Sequence, residues 1–206
     1  DVYIFGDFNS WQRTQLRLQP NRGVWSIFLP DAMYADRLVD GSLYKLHIHG
    51  NNGWRDRIPA YAKRVVQDDA TKNYTAQFII EHPYDWKHDD FRAPKVGELL
   101  IYEAHVGMAQ EEEKVGTYVE FRDNILPRIK AAGYNAVQLM AIAEHPYYGS
   151  FGYHVSNFFA PSSRFGTPDE LRSLVDRAHE LGIAVIMDLV HAHYVKNFDE
   201  GINELD

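Results

Sequence analysis

Cysteine is absent from all 206 residues, so disulfides, thiolate nucleophiles and cysteine-ligated zinc are excluded together. No apolar run is longer than a strand, so neither a membrane-spanning helix nor a signal peptide is legible. Basic residues are in the minority and unclustered, 21 Lys and Arg against 29 Asp and Glu for a formal charge of -8. That balance argues against a nucleic acid or a membrane surface as partner and leaves a neutral polar one. Without an export signal and without cysteine, the expected compartment is the cytoplasm. An initiator methionine is also missing. The chain opens on Asp1-Val2-Tyr3-Ile4-Phe5, already in strand-like alternation, and closes on Asn203-Glu204-Leu205-Asp206 with no terminating element. It therefore reads as a segment of a longer protein.

What is present suffices for a packed core: 45% of the residues are hydrophobic and 24% charged, as in ordinary globular chains. Two rhythms divide it. Up to about Ile80 the apolar residues alternate with period two, in short runs broken by Gly6-Asp7-Phe8-Asn9, Pro20-Asn21-Arg22-Gly23 and Gly50-Asn51-Asn52-Gly53. These are turn residues that tolerate positive φ or make Asx turns, and the pattern predicts an antiparallel β-sandwich over residues 1–82. Its strands are expected at Val2–Phe5, Gly23–Leu29, Leu43–His49 and Thr75–Ile80.

Residues 83–97 carry Pro83, Pro94 and mixed charge and read as a linker, with Tyr84, Trp86 and Phe91 in need of cover. From Glu98 the rhythm changes, and residues 98–206 form the second part. Strands are expected at Leu99–His105, Ala136–Ile142 and Ile183–Val190. Between them Thr117–Ala132 is helix-like, with Phe121, Ile125 and Ile129 four apart and a bend expected at Pro127. Thr167-Pro168-Asp169-Glu170 is a capped helix start, followed by an apolar stripe of Leu171, Leu174, Val175, Ala178 and Leu181 and a stop at Gly182. Strand, helix, strand, helix, strand implies right-handed parallel units, in an open sheet or a barrel.

In parallel α/β folds the chemistry sits at the carboxyl ends of the strands. That rule selects Glu103 and His105 after the first, the stretch from Glu144 to His154 after the second, and Asp188, His191 and His193 after the third. The middle loop is rich in glycine and tyrosine and poor in aliphatic residues, which suits a sugar ring held by one aromatic face and directed polar groups. Tyr153 reads as a ligand contact, Tyr147 and Tyr148 as packing. His145 and His154 stand open between ligand contact and structural hydrogen bond. A metal held by Asp188, His191 and His193 is the rival reading for the third position. The first and second strands supply no further histidine cluster, so neither metal nor cofactor is expected.

The runs Ile101-Tyr102-Glu103-Ala104-His105-Val106-Gly107, Leu126-Pro127-Arg128-Ile129-Lys130, Gly133 to Met140, Glu144-His145-Pro146-Tyr147-Tyr148, Phe151-Gly152-Tyr153 and Arg164-Phe165-Gly166-Thr167-Pro168 together resemble the 1,4-α-glucan branching enzymes of the α-amylase superfamily. The Phe-Gly-Tyr variant is more similar to the eukaryotic subtype than to the common bacterial one. Phe5-Gly6-Asp7-Phe8-Asn9-Ser10-Trp11 resembles the start of the glucan-binding sandwich that precedes the family's barrel, so the resemblance runs nearly end to end.

The resemblance implies a β-sandwich joined to the first three strands of a (β/α)8 barrel. It implies an orienting carboxylate at Asp188, glucose contacts at His193 and Tyr153, and glucan contacts in the sandwich at Trp11 and Lys63. Position 154 departs from the glutamine frequent in the family. The family's nucleophile follows the fourth strand, its acid/base the fifth and its third carboxylate the seventh, all past Asp206. A retaining mechanism needs two carboxylates about 5 Å apart, so the segment alone is expected to be inactive and to require the rest of the barrel. The implied partner is an α-1,4-glucan. A non-catalytic glucan-binding protein, or an amylase or debranching enzyme of the same superfamily, are the alternatives.

Overall fold

Alternating side chains and short turns give the first 81 residues eight strands. Strands β1 to β8 run Val2–Gly6, Leu16–Arg17, Gln19–Asn21, Val24–Ser26, Leu43–Gly50, Gly53–Arg57, Val65–Gln67 and Tyr74–Gln77, with a short helix α1 at Asp31–Tyr34. The computed structural model describes residues 1–195. It separates into one unit of Asp1–Glu81 with Ser156–Ala160, and another of His82–Val155 with Pro161–Tyr194.

In the first unit β2, β1, β5, β8 and β7 lie in that order in one antiparallel sheet, β6 also pairs with β5, and β3 and β4 form a separate hairpin. The register sets Tyr3 against His47, Phe5 against Lys45, His47 against Asp56 and His49 against Trp54. Because successive residues point to opposite faces, Tyr3, Phe5, His47, Trp54 and Asp56 share one face, and Val2, Ile4, Leu46 and Ile48 share the other. Ile58, Ala62, Val65, Tyr74, Ala76 and Ala160 form the buried cluster of this unit. Its strands are shorter than the alternation predicts at Gly23–Leu29 and Thr75–Ile80, which contract to β4 and β8. Phe28 is 85% exposed, so the apolar run after Ser26 is not anchored by core packing.

The second half supplies β9 (Ile101–Ala104), the helical pieces α2 (Tyr118–Glu120) and α3 (Leu126–Ala131), β10 (Ala136–Leu139), β11 (Ala143–Glu144), β12 (Asn157–Pro161), α4 (Pro168–Glu180) and β13 (Ala184–Met187). Strands β9, β10 and β13 are parallel, with β10 in the middle and Ala136 in register with both Ile101 and Ala184. Leu126, Ile129, Val137, Leu139, Phe165, Leu174, Ala178 and Ile183 make the core between this sheet and its helices. The strand cores are shorter than the apolar runs, although hydrogen bonding continues one residue past them where Met140 donates to the Ala104 carbonyl at 3.0 Å.

Both helices begin as their sequences dictate. Thr117 Oγ1 accepts the Glu120 N–H at 3.1 Å while the Glu120 carboxylate accepts the Thr117 N–H at 3.0 Å. Thr167 and Glu170 repeat the reciprocal pair at 3.2 and 2.6 Å. The bend expected at Pro127 takes another form. Residues Phe121–Ile125 widen into a π-helical turn, and the Leu126 N–H reaches back five residues to the Phe121 carbonyl. Proline has no N–H for the fourth carbonyl back and its ring crowds that oxygen, so the wider turn relieves both conflicts. The buried side chains are accordingly Tyr118, Phe121, Leu126 and Ile129, with Ile125 at the margin.

The linker is fastened to α4. Asp176, 6% exposed, accepts the backbone N–H groups of Lys87 and His88 at 3.1 and 3.0 Å. His179 stacks on Phe91 with ring centres 4.4 Å apart. A buried carboxylate requires such donors, and the helical periodicity gave no hint of this one.

Candidate functional site

The parallel strands end at Ala104, Leu139 and Met187, and the residues that follow them carry the polar groups. The Asp188 N–H extends the sheet by donating to the Leu139 carbonyl at 3.2 Å, which holds its side chain at the carboxyl edge of the sheet. Tyr153 comes to it from the long excursion after β10. Its hydroxyl donates to Asp188 Oδ2 at 2.8 Å. That bond, with burial and the charges of Asp188 and Glu103, pushes the Tyr153 hydroxyl up to about 12. The phenol therefore remains a hydrogen-bond donor throughout the neutral range.

Backbone geometry delivers the ring. Tyr148–Ser150 form a single 3-10 turn, Phe151 and Gly152 take left-handed φ values of 56° and 90°, and the Tyr153 N–H closes onto the Ser150 carbonyl at 3.0 Å. Only glycine fits at 152, because a Cβ there would lie 1.8 Å from the Ala141 carbonyl oxygen.

The other predicted residues are placed differently. His193 is exposed and itself left-handed, with φ 65°, two residues past an exposed His191. His145 has no exposed surface, and its Nδ1 lies 2.9 Å from the Ala143 carbonyl oxygen. Burial holds its pKa below the usual imidazole range. His154 is exposed. His105 is 7% exposed, enclosed edge-to-face by Tyr148, Phe151 and Phe165, and burial lowers its pKa too. Tyr148 is half-buried against that imidazole, whereas Tyr147 is 62% exposed. Among the described residues no three His, Asp or Glu side chains converge as metal ligands would.

In the first unit, Trp11 follows a left-handed Ser10, packs edge-on against Phe5 at 5.6 Å and donates its indole N–H to Asp7 Oδ1 at 2.9 Å. Lys63 pairs with Glu81 at 2.6 Å on the surface. Sequence reasoning missed Trp54, which lies flat on His47 with ring centres 4.5 Å apart and planes 10° from parallel. Phe5 lies 6.3 Å from His47, so Trp11, Phe5, His47 and Trp54 form a row of rings with a tryptophan at each end, 37% and 46% exposed. His47 is fixed by Asp56 at 2.7 Å, and Asp56 by Arg13 at 2.7 Å. Burial pushes the Asp56 carboxyl up, but the hydrogen bonds and charges of Arg13 and His47 outweigh it and hold the group below the usual carboxylate range. The signal for Trp54 was available in the period-two register, which aligns it with His49 beside His47.

Family models match at both ends of the chain: carbohydrate-binding module 48, the isoamylase N-terminal domain, over residues 1–62, and the α-amylase catalytic domain over residues 123–204. A 1,4-α-glucan-branching enzyme 2-2 of Arabidopsis thaliana is 50% identical over 98% of this chain and 26% of its own length. Branching enzymes of Dictyostelium discoideum and Equus caballus are 45% and 43% identical over 100% of this chain, which covers 31% and 30% of theirs. The chain thus spans between a quarter and a third of the length of these relatives. Among solved structures, a pullulanase from Bacillus acidopullulyticus superposes with a TM-score of 0.72 at 20% identity, covering 94% of this chain and 27% of that one. A Group B Streptococcus pullulanase gives 0.71 at 19%, covering 91% and 30%. Those two likenesses speak to fold alone. Matched by both domain models and aligned nearly end to end with branching enzymes at 43–50% identity, the chain is similar to the opening part of the 1,4-α-glucan-branching enzymes and carries the same pairing of a carbohydrate-binding module 48 match with an α-amylase catalytic-domain match.

Proposed function

We propose that this chain provides the glucan-binding module and the opening strands of the catalytic barrel of a 1,4-α-glucan branching enzyme, which cleaves an α-1,4 link and transfers the chain to a 6-hydroxyl. The observation that carries this reading is the Tyr153–Asp188 hydrogen bond at the carboxyl edge of the parallel strands. It presents one flat aromatic face beside one fixed carboxylate, the arrangement that holds a pyranose by its C–H face and its hydroxyls. Asp188 orients, and His193 is assigned to the same glucose.

A retaining double displacement requires two carboxylates about 5 Å apart, one attacking the anomeric carbon and one exchanging a proton with the leaving oxygen. Asp188 is not assigned either role. Both are assigned to later strands of the barrel, so the segment by itself is taken to be inactive. Ile101, Met187 and Leu189 are 43%, 49% and 66% exposed on or beside the outer strands, which supports a sheet continued by further strands. In the complete enzyme, incubation with amylose is expected to yield new α-1,6 branches. Release of free sugars without branching would refute the assignment.

The aromatic row of the first unit is proposed as a glucan platform, its outer rings open and its inner ones fixed by Asp56 and Arg13. Trp54→Ala and Trp11→Ala are each expected to weaken maltooligosaccharide binding by about 0.5–3 kcal/mol, the range for one lost aromatic contact. Calorimetric affinities unchanged in both variants would remove the row from the site.

A further inference from the structure

The excursion that carries Tyr153 leaves the sheet at Glu144 and returns at Ser163, and its two ends are joined by a carboxylate with no exposed surface. Glu144 Oε2 accepts the Ser163 N–H at 2.7 Å, and Oε1 accepts the His145 N–H at 3.2 Å with the Ser162 hydroxyl at 3.5 Å. Around this joint the Ser162 N–H donates to the Ile142 carbonyl at 2.7 Å, and the Tyr118 hydroxyl donates to the Ser162 carbonyl at 3.2 Å. Burial raises the Glu144 pKa, so the position costs free energy that an apolar side chain would not. Each oxygen faces a donor from a different end of the excursion, an arrangement a neutral amide cannot reproduce, since one of its two heads must present hydrogens to an N–H.

We infer that Glu144 is a positioning residue, which closes the base of the excursion and thereby fixes the Tyr153 ring against Asp188. At the tip the Gly152 backbone passes close to the Ala141 carbonyl, where a Cβ would meet the oxygen at 1.8 Å. Tyr153 is the next residue, so movement at the base passes to the ring through nine residues of loop. The inference rests on the reading of Tyr153 and Asp188 as one wall of the glucose subsite, and its mark is that Glu144 acts through Tyr153.

The test is a double-mutant cycle in the complete enzyme, with branching kcat and KM measured on amylose for Glu144→Gln, Tyr153→Ala and the double variant. Misplacement of a binding group by about 1 Å costs on the order of 100-fold, so Glu144→Gln is expected to lower kcat/KM by roughly 10- to 100-fold. In the Tyr153→Ala background, where no ring is left to position, the same change is expected to cost under about 3-fold. Additive losses overturn the inference, because a residue that merely supports the fold lowers both backgrounds alike. An unaffected Tyr153→Ala enzyme overturns the subsite reading instead. Should Glu144→Gln not fold, Ser163→Pro removes the donor at 2.7 Å from the other side. Ser163 opens a 3-10 turn, where proline fits. The same non-additivity with Tyr153→Ala is expected, and its absence is equally fatal.

Discussion

Gly152→Ala is expected to lower the stability of the protein by about 2–5 kcal/mol, the sum of roughly 1–2 for a left-handed non-glycine residue and 1–3 for overpacking. Two independent features produce this. The backbone at 152 has φ 90°, and the added methyl would meet the Ala141 carbonyl oxygen at 1.8 Å and its carbon at 2.8 Å. Both obstacles are main chain, so no side-chain rotation relieves them. Gly133 offers the control, with φ 89° and nothing within 4 Å of the place a Cβ would take. Gly133→Ala carries the conformational penalty alone, roughly 1–2 kcal/mol. Urea midpoints of the two variants separate backbone strain from collision. Equal midpoints would mean that the Ala141 carbonyl moves aside freely and the loop tip is not anchored there.

Asp188→Ala in the complete enzyme is expected to reduce branching turnover by on the order of 100- to 1,000-fold, the usual cost of removing one fixed polar group from a reacting centre. The carboxylate is set by backbone pairing to Leu139 on one side and accepts the Tyr153 hydroxyl on the other. Its removal therefore takes away a charge and frees a ring at once. The Tyr153 pKa should fall from about 12 toward 10, since the hydrogen bond to Asp188 is the largest cause of its elevation. Turnover within about 3-fold of the parent would leave Asp188 with structural duty only. Retention of the fold is read from the far-UV circular dichroism of the variant.

Local codes were the most legible part of the sequence. Thr167-Pro168-Asp169-Glu170 specifies a helix start through its own side chains, and α4 begins at Pro168. The three parallel strands were also legible as short apolar stretches, although β9 carries Glu103 and is exposed at Ile101 and Tyr102, and β10 carries Gln138. Strand β6 was not: Trp54, Arg55, Asp56 and Arg57 look like a polar loop. Pairing with β5 gives Asp56 to His47 and Arg13, and places Trp54 on the ring row. The hairpin partner is near, with His47 nine residues from Asp56, but Arg13 lies 43 residues away, and a single chain does not display that pairing. Asp176 and Glu144 were hidden for the same reason, since their donors lie 88 and 19 residues away. In the candidate site, the position of Tyr153 after the second strand was legible, and its hydrogen bond to Asp188 required the excursion's turns.

The π-helical turn at Phe121–Ile125 has a consequence for tolerance of insertions and deletions. Tyr118, Phe121, Leu126 and Ile129 are spaced three, five and three residues apart, yet all face the core, because the wider turn takes up one more residue than an α-turn. Losing one residue there would leave the three- and four-residue spacing of a regular α-helix, with the same face inward. The deletion is therefore expected to cost the relief that the wide turn gives Pro127 rather than the packing of the core face. Adding a residue beside the exposed Asp123 and Asn124 is expected to be the more damaging change, since a second surplus residue rotates the capped start by about 100° against the proline-bearing end.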